Sequence, residues 1–189
     1  WNLTLAANVI SANVPYGAIE KIAAMDGVKS VVEEQRYEPQ AVSADGTQGT
    51  YEPQMGVAGE MTGAHQAWQN GYTGAGMRVA VIDTGLDTNH QSFDPDAQLL
   101  VMKVFGANGG AYDSDIMAAM EDALVLGADA IPLSLWSSVA GRTESDEPAY
   151  VALFERLVET DTVVAISACN YGYWAENTAP GQLYRDGIN

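Results

Sequence analysis

A single cysteine, Cys169, stands among 189 residues, so no internal disulfide can form and packing must hold the fold. Basic residues are also scarce, 8 Lys and Arg against 25 Asp and Glu, a net charge of −17. That balance argues against nucleic acid and anionic membrane surfaces as partners, because a phosphate backbone needs a basic surface. No apolar run approaches the about 18 residues of a spanning helix. A signal-peptide pattern is missing too: Trp1 opens directly into strand-like sequence, so a targeting segment is expected to have been removed or not included. What remains is 47% hydrophobic and long enough for one domain with a true core, or one domain plus a small appendage.

The chain divides into three parts. Residues 1–43 read as a small α+β unit: a strand over Trp1–Ala7, a helix from Val14-Pro15 to about Met25, a turn at Asp26-Gly27 and a second strand over Val28–Glu33. Residues 44–60, rich in Gly, Gln, Thr and Pro, read as a linker. Residues 61–189 alternate as α/β domains do. A short helix over Thr62–Gln69 leads through a glycine-rich turn to a strand over Met77–Ile82. Strands then follow over Leu99–Phe105, Ala128–Leu135 and Thr162–Ala168, with helices over Asp113–Leu126 and Glu147–Glu159. Strands spaced by helices imply right-handed crossovers and a mainly parallel sheet.

The most informative stretch is Val81-Ile82-Asp83-Thr84-Gly85. The apolar run Val79–Ile82 is a buried strand by pattern, and Asp83 falls at its carboxyl end, where open α/β sheets bind ligands and do chemistry. The segment resembles the catalytic-aspartate segment of the subtilisin-like serine peptidases, the subtilases. Three further stretches resemble that family in the same order: Leu99–Phe105 with the following helix and strand, Ser134-Leu135 as a wall of the substrate cleft, and Val163–Asn170 as the strand that ends in the oxyanion asparagine. Ala18–Ile22 and Gly27–Glu33 resemble the end of the family's inhibitor propeptide, which assists folding and then blocks the cleft. The resemblance implies an incomplete subtilisin-like sheet flanked by helices, with strand order 99–105, 77–82, 128–135, 162–168 and two unpaired edges that invite a homo-oligomer. It assigns Asp83 to the charge relay and Asn170 to the oxyanion, and implies a secreted or cell-surface protein of bacterial type acting on peptides or proteins.

Serine-peptidase chemistry needs a serine, a histidine to take its proton and a carboxylate to orient that histidine. The family's His-Gly-Thr-like segment has no counterpart here, since Ser92-Phe93 runs straight into Asp94–Gln98. No Gly-Thr-Ser nucleophile segment occurs either. His65 lies in the helix before the glycine-rich turn, at a position that is not catalytic in the family. His90 follows Asp83 in a loop and reads as a histidine with local hydrogen bonds; the sharper alternative pairs it with Asp83. Cys169 replaces the glycine before the asparagine and reads as a small buried apolar group, with a thiol nucleophile served by His90 as the alternative. Trp136 stands where the family has glycine, so an indole fills space that substrate backbone would use, and Pro132 removes a ladder donor.

The expectation is a subtilisin-like peptidase scaffold that is inactive on its own. The alternatives are a degenerate domain that binds peptides or a partner, and another hydrolase, such as a glycosidase, on the adapted scaffold. No cofactor is expected. Asp94, Asp96, Asp113 and Asp115 read as solvated loop acids; they leave calcium open but match no calcium-loop spacing.

Overall fold

The computed structural model describes residues 1–37, 55–89, 96–107, 109–135 and 148–167. The expected parallel sheet is present. Its strands are β4 (Arg78–Asp83), β5 (Gln98–Lys103), β7 (Ala130–Leu133) and β8 (Val163–Ile166), in the order β5-β4-β7-β8. Register runs Arg78 with Gln98 through Asp83 with Lys103, and Ala130 with Val163 through Leu133 with Ile166. This is the order that the family resemblance implies, and β5 and β8 are its edges among the described residues.

Alternation along the strands decides which face is core. Ala80, Ile82, Ile131 and Leu133 are buried, as are Ile116, Met120 and Ala123 of α4 (Asp113–Val125) and Leu153 and Leu157 of α5 (Pro148–Val158). Together they form one cluster that also takes in Leu3 and Ala7 from the amino-terminal segment. Successive strand residues point to opposite faces, so Val79, Val81, Val101 and Val163 belong to the other face. There Val101 and Val163 are 45% and 64% exposed. Gly127 closes α4 with φ 69°, a left-handed conformation that a side chain would strain, and its amide donates to the Leu124 carbonyl at 3.1 Å.

The amino-terminal segment differs from expectation in its strands. Trp1–Ala7 is no single strand. β1 (Asn2–Leu3) turns through Asn8, at φ 49°, into β2 (Val9–Ile10), an antiparallel hairpin. Asparagine tolerates this left-handed turn. The helix anticipated from Val14 begins as a 3-10 turn at Tyr16–Ala18 and becomes α1 over Ile19–Ala23. Val28–Glu33 forms no strand; the next ladder is β3 (Arg36–Tyr37), antiparallel to β6 (Ala111–Tyr112). At the second boundary, residues 55–60, read as linker, belong to α2 (Met55–Met61), which precedes α3 (Ala64–Gln69).

Candidate functional site

Asp83 is the last residue of β4, half-buried and flanked by β5 and β7. Its backbone carbonyl accepts from Val104 at 3.1 Å, which fixes the strand end. Its carboxylate Oδ1 accepts from the Thr84 amide at 2.6 Å, within its own turn. The turn continues through Gly85 at φ 135°, where a side chain is disfavoured. Lys103, opposite Asp83 in the ladder, extends over this turn and donates from Nζ to the Thr84 carbonyl at 2.5 Å. A carboxylate and an ammonium thus share the carboxyl edge of the sheet, the edge where α/β proteins place ligands.

Ser134 and Leu135 leave β7 at that same edge. Ser134 is exposed, while Leu135 is half-buried and packs on the core. The Leu135 carbonyl accepts from Ser167 Oγ at 3.2 Å, and the Ser167 amide donates to Leu133 at 3.1 Å, so the ends of β7 and β8 are tied together. Asp83, Ser134 and Leu135 therefore lie on neighbouring strands along one edge. His90, Trp136, Cys169 and Asn170 lie outside the described residues. His65 lies against Trp68 in a tilted ring pair, centroids 5.3 Å apart, and a Cβ on Gly59 would come within 2.6 Å of its Nε2. That imidazole packs α3 against α2. Among the described residues no group of three or more His, Cys, Asp or Glu is placed to hold a metal ion, and no helix is long and apolar enough to cross a membrane.

A second cluster of carboxylates surrounds α4. Helix amino termini leave orphan amides, and the N-cap here is Tyr112, whose phenol cannot serve them. Residues of the amino-terminal segment do so instead. Glu34 Oε1 accepts from the Ser114 amide at 2.6 Å, and the Gln35 carbonyl accepts from the Asp113 amide at 3.1 Å. In return, Asp113 Oδ2 accepts from the Gln35 amide at 2.7 Å. Asp115 reaches back to the Tyr112 amide at 2.9 Å and accepts from Trp1 Nε1 at 2.7 Å. Two turns further along, the buried carboxylate of Glu121 accepts from the amides of Ala6 at 2.7 Å and Ala7 at 3.1 Å. These bonds hold the hairpin turn between β1 and β2 against α4.

Sequence reasoning missed this cluster. Asp113 was expected to be a solvated loop acid, and it is 4% exposed. The available signal was the run Asp113-Ser114-Asp115 ahead of an apolar helix, with no side chain before it able to cap the helix.

No family model matches the chain. Among curated proteins it is 26% identical to the minor extracellular protease Vpr of Bacillus subtilis over 183 residues, covering 68% of this chain and 23% of that one. It is 28% identical to the human membrane-bound transcription factor site-1 protease over 139 residues, covering 53% and 13%. It is 33% identical to the PI-type proteinase of Lactococcus lactis over 116 residues, covering 60% and 6%. The chain is subtilase-like over the matched part of its length. It spans less than a quarter of each of these relatives. Among solved structures, a lanthipeptide protease superposes with a TM-score of 0.48 at 21% identity, covering 62% of this chain and 46% of that one. For the subtilase-like chain, the architecture is read from its own four parallel strands and the helices beside them.

Proposed function

We propose that this chain is a subtilisin-like peptidase scaffold that holds an extended peptide beside its sheet and does not hydrolyse it unaided. The observation that carries the reading is the seating of residues 1–37 on α4 and β6. This segment supplies a cap for the helix, amides for Glu121 and a strand for β6, as an inhibitor-type propeptide would. Asp83 is the proposed relay carboxylate and Asn170 the proposed oxyanion donor, an amide worth about 3 kcal/mol in a complete site. Between Asp83 and Gln98 the sequence offers no histidine segment of the family type.

Peptides or proteins are the proposed ligands, and the protein is proposed to act outside the cell or at its surface. A fluorophosphonate probe tests the chemistry. No covalent labelling of this polypeptide is expected, and labelling that disappears in Asp83→Ala would overturn the reading.

A second reading is a degenerate binding domain, favoured by Trp136 in place of a cleft glycine. Trp136→Gly then raises peptide affinity or changes which peptides bind; unchanged affinity counts against it. The edges β5 and β8 support homo-oligomer formation through strand pairing. Light scattering that gives the mass of one chain at high concentration would remove that proposal.

A further inference from the structure

Lys103 is the residue at the carboxyl edge whose position the core does not explain. It is exposed, on the face of the sheet away from Ala80 and Ile82. Register pairs it with Asp83, so the two side chains leave neighbouring strands on the same face. An ammonium gains more from a carboxylate than from a neutral carbonyl. Lys103 nevertheless reaches past Asp83. Its Nζ donates to the Thr84 carbonyl, and no ion pair joins it to Asp83 among the described residues. Its stem runs over Gly85, where a Cβ would touch Cδ at 3.9 Å. Two successive peptide planes are thereby tied to successive residues at the end of β5. The Asp83 carbonyl accepts from the Val104 amide at 3.1 Å, and the Thr84 carbonyl accepts from Lys103. The lysine thus continues the ladder by one residue where backbone pairing has ended. Thr84 is held from both sides, because its amide donates to Asp83 Oδ1 at 2.6 Å.

Resting on the reading of Asp83 as a relay carboxylate, we propose that Lys103 is a positioning residue for it. By fixing the turn through Thr84, Lys103 keeps one carboxylate oxygen against its own backbone and presents the other to an N–H donor of imidazole type. Because the ammonium engages the carbonyl, it does not compete with that donor for the carboxylate.

The test compares the full chain with Lys103→Met, which keeps the stem and loses the donor, and Lys103→Arg, which keeps a charged donor. Lys103 is exposed, so both variants should fold, which circular dichroism checks. Amide exchange at Thr84 should be about tenfold faster in the methionine variant and near wild type in the arginine variant, the scale of one hydrogen bond made by a charged group. Exchange at Val81 and Ile82 should not change. Equal exchange at Thr84 in all three proteins overturns the proposal. Imidazole is then titrated while the Asp83 carboxyl carbon is followed by NMR. A saturable shift is expected in the wild type and the arginine variant, with an apparent Kd about tenfold weaker in the methionine variant. A lysine that only stabilised the turn would leave this binding unmoved. Equal imidazole affinity in the wild type and the methionine variant overturns the positioning role and leaves the relay reading of Asp83 standing. No shift in the wild type overturns both.

Discussion

Two groups of carboxylates sit at opposite extremes of constraint. At the carboxyl end of β4, Asp83 bonds its own turn and leaves its other oxygen without a donor among the described residues. Around α4, Glu34, Asp113, Asp115 and Glu121 accept hydrogen bonds from backbone amides, the Trp1 indole and the Ser11 hydroxyl. The first group carries a recognisable motif and little structural work. The second carries no motif and joins two parts of the chain more than 70 residues apart in sequence. A carboxylate that accepts from several amides is fixed by them. One that accepts a single local bond remains available to orient something else.

Glu121→Ala should break this contrast most severely. It strands the part-buried amide of Ala6 and the buried amide of Ala7 beside an 8% exposed position, at about 3 kcal/mol for the two donors left unmade. Chemical denaturation should show a lower midpoint, and exchange at Ala6 and Ala7 should rise while exchange in β4 does not. Glu121→Gln keeps an acceptor oxygen and should recover most of the loss. If alanine and glutamine variants are equally stable to within error of the wild type, the carboxylate does not fasten the segment.

Glu34→Ala should have a smaller effect, about 1 kcal/mol, the usual cost of a lost helix cap. Its signature is local: faster exchange at Ser114, with the Glu121 bonds intact. Supplying a cap from within the helix sharpens the comparison, since Tyr112→Asp puts a carboxylate at the N-cap. The double variant should regain the stability while Glu34 no longer contributes. Failure of the double variant to recover would show that Glu34 acts through Ser11 and not through the helix end.

How much of this was legible beforehand depended on periodicity. The runs Val79–Ile82 and Val163–Ile166 have apolar character on both faces, and their spacing by helices pointed to a mainly parallel sheet, while the strand order came from the family resemblance. Asp83 was legible because a motif marks it. The β3–β6 ladder was not, because two-residue strands have no period to detect. Val28–Glu33 failed in the opposite way. Its valines favour strands, but that propensity reflects packing on a buried sheet face, and Val31 and Val32 stay 36% and 50% exposed. The pairing goes to residues 36–37, which meet β6. Glu34 was invisible as a cap because it serves a helix 80 residues away.

The smallest expected effect comes from Asp83→Asn. Asparagine keeps an oxygen for the Thr84 amide, and Lys103 still holds the Thr84 carbonyl, so the turn survives. Stability should change by less than about 0.5 kcal/mol, within the range of substitutions that disturb no buried partner. A thermal melt beside the Glu121 variant measures both on one scale. A loss comparable to that of Glu121→Ala would place Asp83 among the fastening carboxylates and remove the distinction. A neutral result leaves the charge of Asp83 with no structural task, and a charge at the carboxyl end of a central strand then has to be explained by what it faces across the edge of the sheet.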